Sequence, residues 1–129
     1  MISTRADAEK FAEDWAQAWN RRDVESVLAH FRDDIIFASP TALAVTGSPV
    51  LHGKGALREY WTKALARIGS IEFSVIRVLW DAASRELAII YLADIDGRSG
   101  TVSENLIFDQ DGLVATAEVF HGVPTSIEP

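Results

Sequence analysis

The chain is expected to fold as one α+β domain, with three N-terminal helices packed against a curved antiparallel β-sheet. Three observations carry that expectation. Apolar residues recur at three- and four-residue steps near the N-terminus and again around residues 54–68, the spacing of one helix face. After residue 70 they alternate with a period of two, the spacing of one strand face. Within the first of these strands the alternation slips by one residue, as it does where a bulge bends a sheet.

The first helix follows from Ala8, Phe11, Ala12, Trp15, Ala18 and Trp19, with Thr4 as N-cap, Asp7 three residues on, and Asn20-Arg21-Arg22 ending the pattern. Asp23 then caps a short second helix whose stripe is Val24, Val27, Leu28 and Phe31, broken by Arg32-Asp33-Asp34. Ile35-Ile36-Phe37-Ala38 reads as a brief strand stopped at Ser39-Pro40, because proline ends sheet pairing. Thr41 to His52, containing Gly47 and Pro49, reads as a loop and a candidate rim over a cavity. The third helix runs from Lys54, with Leu57, Trp61, Ala64, Leu65 and Ile68 inward and Gly69 as its stop.

The strands follow. Ile71, Phe73 and Val75 alternate, and the apolar phase then moves to Ile76, Val78 and Trp80. Leu87 to Ala93 is apolar on both registers, so that strand is expected to be covered on both faces, by helices inside and by a second subunit outside. Asp94-Ile95-Asp96-Gly97 and Asp109-Gln110-Asp111-Gly112 are turn sequences that make the tail a three-stranded meander ending near His121-Gly122-Val123-Pro124. No internal repeat or linker interrupts residues 1–129.

Composition narrows the function. With 129 residues, 48% of them hydrophobic, one domain can bury roughly two-thirds of its unfolded surface. A net charge of −7 repels phosphate backbones and anionic lipid, so neither nucleic acid nor a membrane surface is an expected partner. The absence of cysteine removes thiolate nucleophiles and sulfur-ligated metals. Three scattered histidines lack the paired spacing of a zinc or iron site. The two Asp-rich turns fail as calcium loops, since their twelfth positions would be Phe120 and Asn105 rather than glutamate. Gly53-Lys54-Gly55 lacks the remaining glycine of a dinucleotide site. No metal and no cofactor is therefore expected. The charged N-terminus and the lack of any span of membrane-crossing length make a cytoplasmic protein the default expectation.

One residue breaks the strand pattern in a way that points to chemistry. In Gly100 to Asp109 the inward register is Val102, Leu106 and Phe108, and Glu104 falls on it. A carboxyl on an apolar face is either satisfied by core partners or works in a pocket with a raised pKa. If the last hairpin turns tightly at Gln110-Asp111, Glu104 pairs with Ala117, and Ala117, Val119 and His121 share its face. His121 would then lie roughly 13 Å further along the strand, at about 3.3 Å per residue, too far for a direct hydrogen bond to Glu104.

Taken together, the helices, Ser39-Pro40 after a short strand, Leu51-His52-Gly53-Lys54 leading into Ala56-Leu57-Arg58-Glu59-Tyr60-Trp61, and Glu104-Asn105-Leu106-Ile107-Phe108-Asp109 before Asp111-Gly112 resemble SnoaL-like proteins of the nuclear transport factor 2-like superfamily. The resemblance implies an NTF2-like cone, in which the curved sheet encloses an apolar pocket and dimers form through its outer face. It also implies a comparison with steroid delta-isomerases of the same superfamily. Their oxyanion-binding tyrosine falls at Trp15, their aspartate base at Ser39 and their second oxyanion acid at Glu104. A serine hydroxyl is far too weak a base to replace the aspartate, so ketosteroid isomerisation is disfavoured. The same comparison places Trp15 beside Glu104, His121 near Ser39, and Trp61 on the wall between them.

The expected site is then a pocket for a small apolar molecule. Glu104 is its proton donor or acceptor, Ser39 and His121 are secondary polar groups, and Trp15, Trp61, Tyr91, Ala117 and Val119 form its walls. Trp19 is assigned to the core, and Arg77 and Arg98 to the solvated surface. The competing reading is a non-catalytic ligand-binding or dimerisation module in which Glu104 is structural.

Overall fold

A computed structural model describes residues 1–123; Pro124, with which the expected meander ended, and the rest of the tail lie outside the described residues. The described elements run α1 (Arg5–Asn20), α2 (Val24–Leu28), β1 (Phe31–Ala38), α3 (Pro40–Thr46), β2 (Val50–His52), α4 (Lys54–Ala66), β3 (Ile71–Asp81), β4 (Glu86–Ile95), β5 (Arg98–Phe108) and β6 (Val114–His121). The strands form one sheet in the order β2-β1-β6-β5-β4-β3. All neighbours pair antiparallel except β1 and β6, which run parallel. No described helix is long and apolar enough to cross a membrane.

The first helix forms as its sequence dictates. Thr4 accepts from the Asp7 N–H while the Asp7 carboxylate accepts from the Thr4 N–H, so a capping box satisfies donors that the first turn leaves free. Ala8, Ala12, Trp15, Ala16, Ala18 and Trp19 are buried, and this face lies on β3. Asn20 ties the helix end to the sheet, donating to the Phe73 carbonyl and accepting from the Phe73 N–H.

Two expectations in the next segment are corrected. The second helix ends at Leu28, and Phe31 opens β1, which includes Arg32-Asp33-Asp34. A register shift between Phe31 and Ile36 lets those polar residues face solvent while Phe31, Ile35 and Phe37 point inward. Thr41 to His52 is not a loop but α3 and β2. Ser39 caps α3 by accepting from the Thr41 N–H, Pro40 occupies its first turn, and Gly47, at φ 86°, ends it in the left-handed region. The described residues therefore carry four helices, of which α3 is a two-turn insert at the sheet's edge.

The expected bulge is present. Pairing of β3 with β4 shifts between Val75 and Arg77, leaving Ile76 as the extra residue, 51% exposed. Inward-facing Ile71, Phe73 and Val75 thus join Val78 and Trp80 across the bend. On β4, Leu87, Ile89, Tyr91 and Ala93 are buried beneath the helices. Its other face is only partly covered in the single chain, with Leu92 40% exposed.

The β5–β6 register differs by two residues from the tight-turn expectation. Leu106 pairs with Ala117, Glu104 with Val119 and Val102 with His121. The loop is one residue longer, because the Asp109 carboxylate accepts from the N–H groups of Asp111 and Leu113 and Gly112 takes φ 84°. A second residue enters at the shift between Ile107 and Phe108. A slip of two preserves the face, so Ala117, Val119 and His121 still stand on the Glu104 side.

Candidate functional site

The concave side of the sheet and helices α1 and α4 enclose a cavity of about 130 Å³. An apolar cavity of about 150 Å³ holds a benzene-sized guest, so this one suits a compact molecule. Helix α1 contributes Trp15 and Trp19, and α4 contributes Tyr60, Trp61 and the Ala64-Leu65 turn. The sheet contributes Phe37 from β1, Ile71 and Phe73 from β3, Tyr91 and Ala93 from β4, Glu104 from β5, and Val119 and His121 from β6. Ser39 and Thr41 close the end nearest α3.

The walls are built of rings in mutual contact. Trp15 stacks on Phe73 at 5.6 Å and meets Tyr91 edge-on at 4.9 Å. Trp19 meets Trp61 edge-on at 4.8 Å, and Trp61 in turn packs edge-on against Phe31 and Phe37. Such offset and edge-on pairs are the favoured geometries of aromatic quadrupoles. Positions that a sealed core would fill with aliphatics are instead held open by a ring scaffold.

Glu104 is 5% exposed and faces this interior. Burial disfavours its charged form and pushes the carboxyl up to about 8, so it is protonated at neutral pH. Among the described residues, no cationic side chain counters that shift. The Trp15 indole N–H faces the carboxyl closely enough to ease ionisation slightly, yet forms no hydrogen bond of ordinary length and angle. At neutral pH Glu104 is thus a proton donor in an apolar environment, and above pH 8 a poorly solvated base.

A second polar group of side chains lies at the α3 end. Ser39 is 5% exposed and spends its hydroxyl on capping α3. Burial pushes the Tyr60 phenol up to about 12, a shift that the nearby Ser39 and Thr41 hydroxyls partly offset. The Tyr91 hydroxyl is raised well above its ordinary value by burial and by Glu104. Both phenols therefore remain protonated and neutral. His121 is exposed at the rim, with Nε2 3.4 Å from Thr41 Oγ1. It pairs with Val102 across the sheet and is hydrogen-bonded to Thr41 rather than to Glu104.

Of the residues singled out from the sequence, Glu104, Ser39, His121, Trp15, Trp61, Tyr91 and Val119 line the one cavity. Ala117 does not: the two-residue register difference sets it opposite Leu106, 3% exposed beneath the floor. Trp19, assigned to the core, lines the cavity as well. Phe37, Thr41, Tyr60 and Phe73 were not singled out. Phe37 and Phe73 lie on inward strand registers and Tyr60 directly precedes Trp61, so periodicity could have marked all three. Thr41 could not be found without knowing that α3 exists.

Comparisons with known proteins agree with this architecture. The SnoaL-like domain model matches residues 12–122. A SnoaL-like protein of unknown function from Burkholderia thailandensis E264 superposes with a TM-score of 0.83 at 28% identity, covering 92% of this chain and 97% of that one. An NTF2-like protein of unknown function from Burkholderia xenovorans LB400 gives 0.75 at 16% identity, over 98% and 91% of the two chains. SalBIII, described as an epoxide hydrolase/cyclase-like enzyme with a role in pyran ring formation in the polyether salinomycin, gives 0.72 at 13% identity, over 95% of each. No curated protein is detectably similar in sequence. With a family match spanning nearly all the described elements, and an α+β fold of helices on a six-stranded, mostly antiparallel sheet, the chain belongs to the SnoaL-like domain family and has the NTF2-like fold.

Proposed function

We propose that the protein is a cofactor-independent acid–base enzyme acting on a small apolar molecule, with Glu104 as the group that exchanges a proton with it. The observation that carries this reading is a buried carboxyl, without a cationic partner among the described residues, on the wall of an aromatic cavity. A general acid works best when its pKa lies near the working pH, and burial has moved this one from 4.5 to about 8. Isomerisation, cyclisation, dehydration and hydrolysis of small cyclic or carbonyl compounds can all use such a donor. SalBIII, an epoxide hydrolase/cyclase-like enzyme on the same fold, is in keeping with the hydrolytic and cyclising members of that range.

Within this reading Trp15 and Tyr91 flank the acid, Trp61 and Val119 shape the volume, and His121 with Thr41 stands at the rim. Ser39 holds the α3 end in place through its cap. Incubating the protein with a panel of small epoxides, lactones and cyclic ketones, followed by mass spectrometry, is the direct search for turnover. For a compound that is turned over, Glu104→Gln is expected to lower kcat by about 10²–10⁴-fold, the usual contribution of a positioned general acid or base. Unchanged turnover in that variant would remove Glu104 from the chemistry and leave a ligand-binding module.

We also propose that two copies pair through the outer sheet face. Ile36, Ile107 and Phe120 lie exposed there on the adjacent strands β1, β5 and β6, an arrangement that favours a covered surface. Sedimentation equilibrium is expected to give a dimer that Phe120→Glu dissociates. A stable monomer at high concentration would contradict it.

A further inference from the structure

The cavity has a lopsided chemistry. Among the described residues, seven aromatic side chains line it, one carboxyl faces it, and neither lysine nor arginine does. An anionic ligand would find no counter-charge. A neutral apolar ligand would fit, yet it would draw nothing from the carboxyl once ionised. Once the carboxyl is ionised, a cation can use both parts of the lining, since ring faces carry the negative end of the aromatic quadrupole and a carboxylate completes the pairing. The chain's net charge of −7 favours the same sign of guest.

We propose that the cavity is selective for a compact organic cation, and in particular for the cationic form a substrate takes after accepting a proton from Glu104. This rests on the acid–base reading above and names its substrate class: a neutral molecule with a basic or acid-labile atom whose protonated form is a small cation. The step balances within the site. The Glu104 O–H bond breaks, a bond from that hydrogen to the substrate forms, and a carboxylate is left beside the cation inside the aromatic wall. Stabilising that ion pair more than the neutral pair before it is what lowers the barrier. The Trp15 N–H, which eases ionisation of Glu104, acts in the same direction.

The titratable groups that face Glu104 come from three elements. The groups are the phenols of Tyr91 on β4 and Tyr60 on α4, both held neutral, and the imidazole of His121 at the rim on β6. A bound cation favours the carboxylate, so cation binding is expected to release a proton below pH 8 and to tighten as pH rises through about 8.

The test uses three probes of similar shape: tetramethylammonium, tert-butanol and pivalate. Binding is followed by tryptophan fluorescence and by proton chemical shifts between pH 6 and 9. Tetramethylammonium is expected to bind about tenfold more tightly than tert-butanol at pH 9, with the margin shrinking at pH 6, and pivalate most weakly. Phe73→Leu, which removes a ring but keeps the wall apolar, is expected to weaken tetramethylammonium binding several-fold more than it weakens tert-butanol binding, so that the ratio of the two affinities falls. Glu104→Gln is expected to abolish the pH dependence. Equal or tighter binding of tert-butanol or pivalate, or cation binding that ignores pH, would overturn the proposal while leaving a neutral-ligand enzyme standing. If none of the three probes binds, both the cation proposal and the acid–base enzyme reading fall.

Discussion

Replacing Glu104 by glutamine is expected to stabilise the folded protein at neutral pH, not to weaken it. In the unfolded chain the carboxyl ionises near its ordinary 4.5, whereas in the folded chain it holds its proton up to about 8. Between those values the unfolded state gains by releasing a proton that the folded state keeps, so the contribution of Glu104 to stability is highest below pH 4.5 and declines as pH rises towards 8. The full decline is on the order of 5 kcal/mol, of which about 3 kcal/mol has been lost at pH 7. Glutamine has no proton to release and escapes this loss. Urea denaturation from pH 5 to 9 should show wild-type stability falling towards that of the variant's flatter curve and then below it, with Glu104→Gln more stable by roughly 1–3 kcal/mol at pH 7 after allowance for the buried amide. His30 acts in the opposite sense, since burial lowers its pKa and its contribution is lost as pH falls. It is common to both proteins and cancels in their difference. A variant that is more stable yet inactive would mark Glu104 as a group kept for function at a cost to the fold.

The largest destabilisation is expected at Trp61. Its ring, 5% exposed, meets Trp19 at 4.8 Å and Phe31 and Phe37 at 5.7 Å each, so it joins α1, α4 and β1 at the centre of the domain. Trp61→Ala removes all three contacts and enlarges an existing cavity that the surrounding rings cannot collapse to fill. The cost is expected to be about 3–5 kcal/mol, a large share of the 5–15 kcal/mol that holds a typical domain together. Chemical denaturation measures it. A loss below about 1 kcal/mol would mean that the indole faces open space instead of carrying the wall.

The parts of the fold that could be read from the sequence are those where a local rule and the tertiary structure agree. Thr4 and Asp7 announce the start of α1 through capping chemistry that needs no partner from elsewhere. The phase slip at Val75 and Ile76 announces the bulge because a buried face must stay buried on both sides of it. Other parts were hidden or misread. Helix α3 spans seven residues, too few for a periodicity to emerge, and Ser39-Pro40, which does stop β1 at Ala38, is at the same time an N-cap followed by a first-turn proline. The polar run Arg32-Asp33-Asp34 masked the first half of β1, since its residues face solvent across an irregular pairing.

The candidate site was legible to the extent that it depends on strand parity. Glu104 faces inward because it shares a register with Val102 and Leu106, and a two-residue error in its partner strand leaves that conclusion intact. Its exact neighbours were not legible, because loop length between β5 and β6 is set by the Asp109 carboxylate and Gly112, features that several turn types share. The rim could not be foreseen either. Thr41 meets His121 only because a short helix brings residues 80 positions apart to the same edge.

Everything proposed for the cavity depends on the ionisation of one side chain. Carbon-13 NMR titration of the Glu104 carboxyl, assigned by its absence in Glu104→Gln, measures that directly in the folded protein. A midpoint near 8 is expected, from a carboxyl buried among rings without a cationic partner. A midpoint near 4.5, the value of a solvated glutamate, would contradict the site, its acid–base role and its preference for a cation together.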